Sequence, residues 1–70
     1  MPNGSEVMLA LQILAVFSEK PLEMHPEHDE IWIGIGLPPK KLDNAARVKL
    51  KQLGFSWDKD SEGWHAFVSA

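Results

Sequence analysis

No cysteine occurs in the 70 residues, and that one absence removes several chemistries at once. Disulfide staples, zinc–cysteine sites and thiol nucleophiles are excluded, and the lack fits a reducing compartment. Basic charge is scarce as well. Ten acidic side chains outnumber seven basic ones, for a net charge of −3. A general nucleic-acid binder needs cations to neutralise phosphates, so only a local cluster could support that function here. Long apolar runs are missing too. The stretch from Val7 to Phe17 is apolar except for Gln12, whereas a bilayer span needs about 20 such residues. Nor does it read as a signal peptide: Met1 to Glu6 carries one acid and no base, and no Ala-x-Ala site follows. A mature, buried element of a cytoplasmic protein is the expectation.

What is present is the composition of an ordinary globular protein, 44% apolar and 24% charged. The length predicts a single compact domain over residues 1–70. A domain of this size buries only about 60% of its unfolded surface. A core of this size rarely supplies more than about 3–5 kcal/mol, so such domains often lean on a staple or a partner.

Pro2-Asn3-Gly4-Ser5 is turn-like, and Ser5 is a natural N-cap. Good helix formers from Glu6 predict a helix to about Ser18, bounded by Pro21. That helix carries two apolar stripes, Val7/Ala10/Leu11/Leu14/Phe17 and Leu9/Ile13/Val16. A helix apolar all round wants cover all round. It is therefore either central in the domain or half buried in a partner chain.

Leu22-Glu23-Met24-His25 alternates and leads through a turn at Pro26–Asp29 into the clearest strand, Glu30 to Ile35. Ile31, Ile33 and Ile35 share one face of that strand, with Trp32 and Gly34 on the other. A second helix is predicted over about Leu42–Leu53, from Leu42, Ala45, Ala46, Leu50 and Leu53 at helical spacing. Gly54 is placed for a left-handed C-terminal cap. Phe55-Ser56-Trp57 and Trp64–Val68 read as aromatic strands around a turn at Lys59–Gly63, with Gly63 in the left-handed position. Register is open by one residue, setting Trp57 against either Trp64 or Phe67.

His28-Asp29-Glu30-Ile31-Trp32-Ile33-Gly34, then Leu50-x-x-Leu53-Gly54-Phe55-Ser56-Trp57-Asp58 and Trp64-x-x-Phe67, resembles short uncharacterised proteins of bacteria and their phages, over roughly the last two-thirds of the chain. No activity travels with the resemblance, so it implies no functional residue.

Four features bear on chemistry. His25 and His28 with Glu27, Asp29 and Glu30 form the one ligand-rich cluster, to which His65 adds only if the two hairpins meet. Pro26 interrupts it and no distant Cys or His-x3-His completes it, so it reads as an acidic solvated turn rather than a metal site. Gly34-Ile35-Gly36 lacks both the third glycine of a dinucleotide loop and the Lys-Ser/Thr of a phosphate loop. No signature places a nucleophile beside a base, and the expectation is a non-enzyme without cofactor. Five of the seven basic residues lie between Lys40 and Lys51, and Lys40, Asn44, Arg47 and Lys51 share a predicted face. That face is either an anion or nucleic-acid grip or a solvated surface paired to Asp58, Asp60 and Glu62. Finally, most of the three tryptophans and three phenylalanines must be core. Trp32, opposite the isoleucine face, is the exception and would mark a contact surface on an open sheet.

Together these predict an α+β fold of order αββαββ, with two helices on one face of a small, largely antiparallel sheet of three or four strands. The expected function is a small non-catalytic protein–protein interaction module. It would be a homodimer or bind another protein through Leu9, Ile13, Val16 or Trp32, with no membrane association. The alternative is a nucleic-acid-binding protein using Lys40, Arg47 and Lys51.

Overall fold

A computed structural model describes residues 1–68. Helix α1 spans Gly4–Ala15, strand β1 Met24–Glu27, strand β2 Glu30–Ile33, helix α2 Asn44–Gln52, strand β3 Ser56–Asp58 and strand β4 Gly63–Phe67, with a 3-10 turn at Pro39–Lys41. The order is αββαββ and the strands form one antiparallel sheet, β1-β2-β4-β3.

Asn3, not Ser5, caps α1. Its side chain accepts from the Glu6 N–H at 2.9 Å, and Glu6 Oε1 accepts from the Asn3 N–H at 3.1 Å. This reciprocal pair satisfies two of the helix's free N–H groups. The helix also stops earlier than Ser18, because Val16, Phe17 and Ser18 donate to the carbonyls three residues back. That tightening of the last turn ends the α geometry. Helix α2 begins after an Asp43 cap, whose carboxylate accepts from the Ala46 N–H at 2.8 Å. Leu42 therefore precedes α2 and sits buried in front of the cap. Gly54 takes the left-handed conformation beyond α2, as its sequence position predicts.

One buried cluster holds the molecule together. Val7, Ala10 and Leu14 of α1 and Ala46 and Leu50 of α2 join Ile31, Ile33, Trp64 and Ala66, which alternate onto one face of the two central strands. Leu37, Leu42, Leu53 and Phe55 complete it. Trp57 pairs with Trp64, their rings edge to face at 5.7 Å, which settles the open register. Trp64 donates its indole N–H to the Leu37 carbonyl at 2.9 Å, so this buried polar atom is satisfied.

The first hairpin departs from expectation at both ends. Pro26 lies inside β1, and the turn is only His28-Asp29, with His28 at φ 49°. A strand proline is tolerated because β1 is an edge. Strand β2 ends at Ile33, since Gly34 turns to φ +62°. Ile35 therefore leaves the isoleucine face and lies over Gly63, where an added Cβ would collide with its Cδ1. Gly63 is thus required for close approach, and Glu62, at φ 56°, takes the left-handed turn position instead. Among the described residues no helix is long and apolar enough to cross a membrane.

Candidate functional site: two uncovered surfaces

The outward side of α1 is the first surface. Ser5, Met8, Leu9, Gln12, Ala15 and Val16 are all exposed, and their spacing is that of one helical face. None is charged. Met8 is 63% and Val16 78% exposed, high values for aliphatic side chains that share a face. Ile13 belongs only to the margin of this surface, because it is half-buried against the core. Beside the ridge runs a shallow groove of about 380 Å³, lined by Leu11, Gln12, Ala15, Lys20, Pro21 and Leu22. Ridge and groove are therefore neighbours on one apolar patch.

The second surface is the face of the sheet opposite the core. Strand alternation and register place His25 opposite Trp32, Trp32 opposite His65, and His65 opposite Ser56, in one row across all four strands. Glu27, Glu30 and Phe67 form the next row. Trp32 is half-buried and held in place. Its indole N–H donates to Asp58 Oδ2 at 3.0 Å, and its ring meets that of His65 at 4.9 Å. Asp58 is fixed in turn by the Ser61 hydroxyl at 2.7 Å and the Asp60 N–H at 3.1 Å. Donation from Ser61, then from Trp32 and the Asp60 backbone, holds its carboxyl below the ordinary carboxylate range. His65 Nε2 lies 3.0 Å from Glu30 Oε1, and Phe67 stands edge-on to the imidazole at 4.9 Å.

Trp32 therefore occupies the open face that its alternation predicted. Its neighbours Glu30, Asp58, His65 and Phe67 were missed as a group. The i, i+2 spacing of His65 and Phe67 carried the signal, but the open register left unresolved which side of β4 faced inward. The two hairpins do meet, yet Trp32 stands between His25 and His65, and His25 instead lies 3.3 Å from Glu23. No cluster of three or more His, Asp or Glu suited to a metal occurs among the described residues.

The basic stretch is divided. Lys40 and Lys41 sit in the 3-10 turn outside α2, and Lys49 and Lys51 are exposed on the helix. Arg47 turns inward instead. Its Nη1 donates to the carbonyls of Pro39 at 3.0 Å and Leu42 at 2.8 Å, strapping the turn to α2. Asp58, Asp60 and Glu62 form no ion pair with these cations among the described residues, so the expected pairing across the molecule is absent there.

The molecule is thus a small α+β domain with one four-stranded antiparallel sheet, one face of which carries the core residues Ile31, Ile33, Trp64 and Ala66 and the other Trp32, His65 and Phe67. Comparison with protein families, with curated proteins and with solved structures gives no match.

Proposed function

We propose that this chain is a small, non-catalytic protein–protein interaction module that associates with itself through α1. The carrying observation is the uncharged ridge of Met8, Leu9 and Val16 beside the groove of Leu11, Ala15, Pro21 and Leu22. A two-fold interface must be self-complementary, and a ridge next to a groove on one patch meets that requirement. Each apolar Å² removed from water contributes about 25 cal/mol, a useful gain for a domain with so small a core. The absence of cysteine supports a cytoplasmic setting.

Sedimentation at micromolar concentration tests the reading. The expected result is a dimer that Val16→Asp converts to a monomer with an unchanged circular-dichroism spectrum. Val16 serves better than Ile13 because its exposure spares the core. A wild-type monomer at all accessible concentrations would sink the proposal. The second reading, nucleic-acid binding, rests on exposed Lys40, Lys41, Lys49 and Lys51, since Arg47 is engaged within the fold. A salt-dependent mobility shift lost on reversing Lys49 and Lys51 would favour it.

A further inference from the structure

We infer that the open face of the sheet is a docking site for a short arginine-bearing peptide segment, separate from the α1 surface. Charge is the first reason. The four strands contain no lysine or arginine, yet they carry Glu27, Glu30 and Asp58. Glu23 extends the set just ahead of β1. All seven basic residues of the chain lie outside the strands. Glu27 and Glu30 face each other directly across the β1–β2 ladder, a like-charge placement that costs stability unless a cation relieves it. Of the two, Glu30 has the imidazole of His65 and Glu27 has no partner among the described residues.

The aromatic groups supply the second reason. Trp32 is clamped by Asp58 and His65, and Phe67 is 53% exposed at the end of the same face. A guanidinium stacks on an indole and pairs in plane with a carboxylate, which an ammonium cannot do. Asp58 and Glu30 are both positioned by hydrogen bonds before any partner arrives, so little ordering remains for binding to supply.

Size decides against a folded partner. Strands of three to five residues, spaced about 4.8 Å apart, give a face about 15 Å on a side. That is well short of the roughly 800 Å² per partner of a stable protein–protein interface. A few extended residues cover it, and such contacts are weak.

The probe is the blocked peptide Gly-Arg-Gly-Arg-Gly, titrated into 15N-labelled protein and followed by NMR. Movement of the Trp32 indole N–H and of the His65 and Phe67 amides is expected, with a midpoint of about 1 mM. Replacing both arginines by glutamine should weaken binding about tenfold, and Asp58→Asn or Glu30→Gln about threefold each. Glu27→Gln, remote from the Trp32 clamp, should weaken binding while leaving the free spectrum of Trp32 in place. Equal response to the glutamine peptide would overturn the proposal in favour of a general strand-docking surface. Stronger displacement of the same signals by oligo-dT would overturn it in favour of nucleic acid, and no movement at about 10 mM peptide would overturn it outright. The Val16→Asp monomer should bind the peptide like the wild type. Failure of either proposal is therefore read separately.

Discussion

Gly34→Ala adds one methyl group where the chain has no room for it. Gly34 sits at φ +62°, and its new Cβ would lie 2.9 Å from Leu14 Cδ1 and 3.1 Å from Trp64 Cδ1. The left-handed conformation costs an L-residue about 1–2 kcal/mol. Crowding a packed core costs about 1–3 kcal/mol more. Reduced freedom of the unfolded chain returns about 0.4–1 kcal/mol. The ranges span a net loss of about 1–4.6 kcal/mol, centred on about 3 kcal/mol, a large share of a core that rarely supplies more than about 3–5 kcal/mol. Gly36→Ala is the matched control, because Gly36 has φ +79° and an added Cβ would meet nothing within 4 Å. Only the backbone penalty applies there, leaving a loss of about 1 kcal/mol or less. Urea melts followed by tryptophan fluorescence measure both. With a slope of about 1 kcal/mol/M for a small domain, the Gly34→Ala midpoint should fall by about 2 M or more and that of Gly36→Ala by about 1 M or less. Equal shifts in the two variants would refute the claim that α1 and Trp64 close over Gly34.

Removing the Arg47 strap should cost about 1–3 kcal/mol in Arg47→Ala, since two carbonyls lose charge-assisted donors. Arg47→Lys should recover part of that stability but not all, as read from thermal melts. Asp58, whose carboxyl is held below its ordinary range, contributes stability that is complete above the unfolded value of about 3.9 and fades as pH falls through the lower folded value. Asp58→Asn should therefore flatten the stability profile below about pH 4, and an unchanged acid limb would count against the Ser61 and Trp32 contacts.

The order of elements was legible from periodicity, because Ile31 and Ile33 of β2 and the spacing of Leu42, Ala46, Leu50 and Leu53 in and around α2 declare their periods. The caps were legible only in part. Asn3 and Ser5 are both competent N-caps, and the deciding sign was Glu6 three residues after Asn3. Pro26 looked like a turn because a strand proline is admissible only at a sheet edge, and edge position is a property of the assembled sheet. Arg47 looked like surface charge because its partners are backbone carbonyls, which no sequence pattern advertises. Ile35 continued the alternation of its strand on paper, but Gly34 reverses the backbone just before it. The open face was half visible. Trp32 announced itself by alternation, while Asp58 and His65 reach it from strands more than twenty residues away, across pairings that only the fold creates.

The strand order β1-β2-β4-β3 reads the same when the two helix–hairpin halves of the chain are exchanged. The strands of the two halves meet along a single seam, where Ile31 faces Ala66 and Ile33 faces Trp64, and α1 touches α2. Every other strand pairing closes inside its own half through a short turn. Each hairpin closes over a short turn, whereas the seam joins Ile31 to Ala66 and Ile33 to Trp64 across a far longer stretch of chain and so carries the larger loop-closure cost. The segment from Ile35 to Leu42 is then a packed tether: it raises the effective concentration of one half for the other, and it places Leu37 and Leu42 in the shared core. A chain cut in that tether should reassemble from its two fragments.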